Sequence, residues 1–202
     1  MPPPPSTVKL YSKALSDVDP TGKTHSVVMA CRMEAMLSAT EPADPIFRGS
    51  RPDNKALWWP PFQKRHDLSG PFWVQGHLLN DNIYGPGIPA NLVPISNTLN
   101  SNMHAMVEAA VKKAVLDDNL FVHYTVEAHW DQTPTRTRQV YGIRGLDPDG
   151  TLLLGEQFAP TRLSWTLHQM TYDHAGQLIA TPLVHASPWY GDPSQWNNHF
   201  PS

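Results

Sequence analysis

The chain has 202 residues, 40% hydrophobic, 16% charged and 9% aromatic. That is enough apolar content for a core without disulfides or a structural metal, and too little charge for a disordered chain. A net charge of -3 excludes a globally basic, histone-like protein, but a local basic stripe can still meet nucleic acid. No apolar run approaches the ~20 residues of a membrane helix, so no membrane insertion is expected.

Residues 1–24 read as an extended N-terminal lead, opened by Met1-Pro2-Pro3-Pro4-Pro5-Ser6. That opening has neither the basic nor the apolar region of a signal peptide. Synthesis in the cytoplasm is expected, and delivery to another cell would need a secretion system. Residues 25–202 read as one domain. The stretch His25 to Met33 predicts a strand, and Cys31, the single cysteine, reads as a small buried hydrophobe there. Residues 37–71 are rich in Pro, Asp, Ser, Gly and Arg and predict irregular, packed chain pinned by Trp58-Trp59. Phe72 to Leu79 predicts a strand, and Asn80 to Pro89 a series of turns.

The strongest helical signal runs from about Asn97 to Asp117. Leu99, Met103, Met106, Val107, Ala110, Val111 and Ala114 recur at spacings of three and four, with Ser96 or Asn97 as the cap. Strands are expected at Phe121 to Val126, Val140 to Ile143, Leu152 to Leu154 and Leu163 to Leu167. The last of these turns at Asp173-His174-Ala175-Gly176 into Gln177 to Ala180. The tail beyond Pro188 carries Trp189, Tyr190, Trp196 and Phe200 and reads as an irregular flap. The sum is an α+β fold: an antiparallel sheet, one dominant helix and many irregular loops.

The window 73–108 carries the chemistry. Gly76-His77 ends a strand, Asn91-Leu92-Val93-Pro94 follows a glycine-rich loop, and Asn100, His104 and Glu108 stand four apart on the helix. Each four-residue step turns the helix face by only ~40°, so these three share one side. Such a set suits metal-assisted phosphodiester hydrolysis. A histidine takes a proton from water near neutral pH, and an asparagine oxygen is a neutral ligand for a hard cation. A carboxylate can then orient the cation's waters.

These residues resemble the DNA/RNA non-specific endonucleases, which have the ββα-metal (His-Me finger) fold. Asn100 follows Asn91 by nine residues and Glu108 follows Asn100 by eight, as in that family. The variant Gly-His-Leu-Leu-Asn with a Gly-Pro-Gly loop resembles bacterial polymorphic-toxin versions. The resemblance implies a ββα-metal core at about 72–117, with His77 as general base, Asn100 as metal ligand and Glu108 holding the metal's waters. Asn91 would hold the loop and help to position the histidine or phosphate. It implies Mg²⁺ or Mn²⁺ as cofactor, DNA and RNA as substrates, low sequence specificity and a cognate immunity protein as partner. The family's Asp-Arg-Gly-His is Val74-Gln75-Gly76-His77 here, so Gln75 stands at a substrate-binding position without its cation. Arg48, Arg51, Lys55, Lys64, Arg65, Arg136, Arg138 and Arg144 are candidate replacements, with Arg48 and Arg51 taken first.

Two other readings stand beside this one. One is a nuclease fold that binds nucleic acid without cutting it; the other is a Trp/Pro-rich effector that recognises protein or carbohydrate. His104 reads either as a second ligand or as a surface residue. Gly85-Pro86-Gly87 reads as turn chemistry rather than a phosphate cradle, and Trp58-Trp59 as core rather than a base-stacking platform. The remaining histidines have no ligand spacing.

Overall fold

A computed structural model describes residues 3–18, 22–53, 56–69, 72–130, 158–183 and 195–197. Its strands are β1 (Thr7–Val18), β2 (Thr24–Leu37), β3 (Trp73–His77), β4 (Leu92–Ser96), β5 (Val122–His129), β6 (Arg162–Tyr172), β7 (Leu178–Pro182) and β8 (Gln195–Asn197). Helix α1 spans Trp59–Ser69. A long helix follows β4: α2 (Asn97–Met103), a π turn over His104–Glu108, α3 (Ala109–Lys112) and a second π turn over Lys113–Asp117. The fold mixes α and β, with an antiparallel sheet and one main helix. The candidate strands at 140–143 and 152–154 lie outside the described residues, as does the tail except for β8.

The main sheet runs β1-β2-β5-β6-β7, with β8 also paired to β6. Every neighbouring pair is antiparallel. Residues 7–18 therefore belong to the sheet and are not a lead. Val8 and Leu10 pack on the core while Thr7, Lys9 and Tyr11 are exposed. The polar outer row of an edge strand hides its apolar inner row.

The 37–71 segment also departs from expectation, because α1 forms in it. Pro60 and Pro61 sit in the first turn of that helix, where a missing N–H costs nothing. Trp58, Trp59, Phe62 and Trp73 bury themselves in an aromatic core. Trp59 stacks on Phe62 at 6.0 Å, and Phe62 meets Trp73 edge-on at 5.4 Å. The core reading of the tryptophan pair agrees with this packing.

Strands β3 and β4 form a separate antiparallel hairpin, with His77 opposite Leu92 and Gly76 opposite Val93. Both of its faces are covered. Trp73 and Leu92 enter the aromatic core, while Val93 and Ile95 join the main core between sheet and helix. Ser96 ends β4 and caps the long helix by accepting a hydrogen bond from Leu99 N at 3.2 Å.

The long helix buries Leu99, Met103, Val107, Val111 and Val115, an unbroken four-residue repeat. In a pure α-helix this row would drift ~40° per step around the axis. A π turn closes i→i+5 and winds less per residue. The two π turns therefore straighten the row against the sheet, where it meets Met33, Leu37, Tyr124 and Val126. They straighten the parallel row Asn100, His104, Glu108 and Lys112 as well. No helix among the described residues is long and apolar enough to cross a membrane.

Candidate functional site

His77 is the last residue of β3 and is half-buried. Its Nε2 lies 3.0 Å from the Ser50 carbonyl oxygen. A carbonyl oxygen only accepts, so Nε2 carries the hydrogen. In the neutral ring the lone pair then belongs to Nδ1. Ser50 is itself held from two directions: its N–H donates to the Gly85 carbonyl at 3.1 Å, and its Oγ accepts from Gly87 N at 2.8 Å. Gly87 packs directly on the Arg51 carbonyl, where any side chain would collide. These contacts explain the Gly85-Pro86-Gly87 sequence. Gly85 N donates to Asn80 O at 2.9 Å, so both glycine N–H groups serve the loop rather than a phosphate.

Arg48 and Arg51 flank Ser50 and are both exposed. They stand on the segment that fixes the His77 ring. Gln75 is half-buried in mid-strand opposite Pro94, and its amide oxygen is shielded from solvent. That placement does not present the oxygen to a substrate. Lys55 lies outside the described residues, as do Arg136, Arg138 and Arg144.

Gly76 pairs with Val93 and packs against the Ile95 side chain. A β-carbon there would strike the end of the Ile95 side chain and stand 3.6 Å from Asn100 Oδ1. The Asn100 oxygen thus lies over the peptide that leads into His77. The missing side chain lets the first turns of the helix approach the end of the hairpin.

Asn91 is completely buried. Its Oδ1 accepts from Leu79 N at 2.9 Å, and its Nδ2 donates to Leu79 O at 2.9 Å and Pro86 O at 3.0 Å. Its backbone carbonyl accepts from Leu78 N at 2.8 Å. With every polar atom of its side chain committed, Asn91 holds the 78–91 loop and offers nothing to a substrate. It stands as a positioning residue of the loop, with no side-chain polar atom left over to act catalytically.

Glu108 is buried at 6% exposure, not a solvated helix residue. Its Oε2 accepts from Asn80 Nδ2 at 2.6 Å and pairs with His104 Nδ1 at 3.0 Å. His104 is exposed on the helix surface, and its Nδ1 is engaged by Glu108. Among the described residues, no three His, Cys, Asp or Glu side chains converge as a metal cluster. The donors here are instead the Asn100 amide oxygen and the Glu108 carboxylate. Both offer oxygen donors, and they stand two turns apart along the helix.

Tyr124 lies beneath this row, fully buried, and its hydroxyl has no partner among the described residues. Burial, with the Glu108 charge adding to it, pushes the phenol's pKa well above its ordinary value, so it stays protonated. Removing an unpartnered buried hydroxyl relieves a desolvation cost of about 1 kcal/mol. Tyr124→Phe is expected to unfold at the same temperature as the parent chain or a few degrees higher. A clear drop in a thermal melt would refute this account of the Tyr124 hydroxyl.

Sequence reasoning did not single out Ser50, and it quoted Asn80 only as the end of Gly-His-Leu-Leu-Asn, with no role. The signal for Asn80 is its position three residues after His77, at the start of a turn. Ser50 had none, because its role is carried by its carbonyl. Two of the background histidines meet on the outer face of the sheet. There His123 Nε2 bonds Glu34 Oε1 at 3.2 Å, and its ring stacks on His168 at 6.4 Å.

Compared with protein-family models, curated proteins and solved structures, the chain shows no match.

Proposed function

We propose that the chain is a nuclease dependent on a divalent cation, with a ββα-metal (His-Me finger) core formed by β3, β4 and the long helix. It hydrolyses DNA, and RNA as a second substrate, with low sequence preference. The biological reading is an antibacterial toxin or effector domain, which implies an immunity protein as partner. One observation carries the reading: His77 has its Nε2 tied to the Ser50 carbonyl, and the Asn100 oxygen lies against Gly76, the residue before it.

In this mechanism His77 Nδ1 takes a proton from water as the water oxygen attacks phosphorus. The new P–O bond forms as the bond to the 3′-oxygen breaks, and that oxygen takes a proton from a solvent water, leaving 5′-phosphate and 3′-hydroxyl ends. Asn100 and Glu108 are the residues that would hold Mg²⁺ or Mn²⁺. A bound cation would neutralise charge on the phosphate and on the departing oxygen. Arg48 and Arg51 would grip flanking phosphates and supply the positive charge that Gln75 lacks.

The test is nicking of supercoiled plasmid in Mg²⁺. Cleavage should cease in EDTA. Asn100→Ala should lower the rate by about a hundredfold or more, as expected when several kcal/mol of charge stabilisation is lost. Gln75 at the family's arginine position favours one other reading, a fold that binds without cutting. Tight binding of intact plasmid in low salt, with no nicking in either metal, would establish that reading and end the nuclease proposal.

A further inference from the structure

We propose that Asn80 is a further positioning residue of this site. Its side-chain nitrogen fixes the Glu108 carboxylate, and its side-chain oxygen builds the turn after His77. The inference rests on the nuclease reading for its consequence, but on geometry for its substance.

Asn80 does two separable things with two atoms. Its Oδ1 accepts from Asn82 N at 2.9 Å and from Asn82 Nδ2 at 3.1 Å, which caps the short 3-10 turn over Asp81–Ile83. Its Nδ2 crosses to the long helix and donates to Glu108 Oε2 at 2.6 Å. The backbone supports both roles, since Asn80 O accepts from Ile83 N at 3.1 Å and from Gly85 N at 2.9 Å. The loop that leads from His77 to Gly85 and on to the Ser50 staple is therefore tied to the helix that carries Asn100.

The second partner sharpens the argument. His104 Nδ1 meets the same oxygen, Oε2, at 3.0 Å. A carboxylate oxygen accepts only, so both partners act as donors and together fill Oε2. Oε1 accepts no hydrogen bond among the described residues. The carboxylate is thus held by one oxygen with the other left for a cation or its waters. Fixing a carboxylate in this way raises metal affinity by holding the ligand's orientation before binding.

Two substitutions separate capping from positioning. Serine and aspartate are both good capping residues, so Asn80→Ser and Asn80→Asp keep an acceptor for the turn. Asn80→Ser cannot reach Glu108, and Asn80→Asp sets a second carboxylate against it. The probe is Mn²⁺ alone, titrated calorimetrically into the metal-free protein, with plasmid nicking as the second readout. Affinity is expected to fall about tenfold for Asn80→Ser and further for Asn80→Asp. The turnover rate should fall in the same order while KM for plasmid holds. Asn82→Ala, which disturbs only the turn, should leave the Mn²⁺ affinity near the parent value.

Parent-like Mn²⁺ affinity and turnover in Asn80→Ser would overturn the proposal, even with the nuclease reading intact. The same result in Asn80→Asp overturns it should the serine variant not fold. A parent chain that neither binds Mn²⁺ nor nicks plasmid removes the nuclease reading, and this inference with it.

Discussion

Replacing His77 by alanine is expected to lower Mg²⁺-dependent plasmid cleavage by about a hundred- to ten-thousand-fold, the range for loss of a general base. The fold should survive. The ring is half-buried and makes one hydrogen bond, to the exposed Ser50 segment. Circular dichroism and the melting temperature should match the parent chain. Mn²⁺ affinity should also hold, because the cation's proposed ligands stand on the helix. Activity lost with metal binding retained would separate the base from the ligand Asn100, whose alanine variant should lose both. A cleavage rate in His77→Ala within a few-fold of the parent would remove the histidine from the chemistry.

Much of the arrangement around that histidine is written in local sequence. The four-residue spacing of Leu99, Met103, Val107 and Val111 marks the long helix, and Ser96 caps it as its residue type suggests. The strand ending in Gly76-His77 and the turns after Asn80 follow from apolar runs and backbone punctuation. The β6–β7 hairpin follows from a period-2 pattern and an Asp-His-Ala-Gly turn, in which Asp173 Oδ1 accepts from Ala175 N at 2.8 Å. These features depend on neighbours within a few residues, which is why the sequence exposes them.

What stayed hidden depends on contacts between distant residues. Strand β1 is stabilised by pairing with β2 along its whole length, and its outward row of Lys9, Tyr11 and Lys13 resembles a solvated lead. Helix α1 is masked by its two prolines and depends on tryptophans that find partners in β3 and around Phe158. Glu108 looks like any helix-surface glutamate until the 80–87 loop folds over it. The π turns leave no mark on residue type, yet they keep Asn100, His104 and Glu108 in one row. Ser50 contributes a carbonyl, which every residue has, so no sequence pattern could have named it.

Asn91→Ala is expected to cost about 3 kcal/mol or more, since it strands the buried Leu79 N–H and two carbonyls and leaves a void. For a chain of this size that lowers the melting temperature by about 6–12 °C. Cleavage should fall as well, because the loop that Asn91 holds carries the Asn80 and Gly85 contacts to the rest of the site.

Asn91→Asp gives the sharper test. Its shape is the same, but the ionised group would face the Leu79 and Pro86 carbonyls with only Leu79 N to donate to it. Burial beside those carbonyls raises the new carboxyl's pKa in the folded state above the unfolded value of about 3.9. A raised folded pKa means that the folded chain binds the extra proton more tightly. The protonated form can still donate to one carbonyl, so this variant keeps most of its stability below about pH 4 and loses it as pH rises toward 7. Its melting temperature relative to the parent chain should therefore fall with increasing pH. The deficit of Asn91→Ala should not change over the same range. A pH-independent deficit in Asn91→Asp would mean that the loop opens to water around the amide, and that Asn91 does not hold it shut.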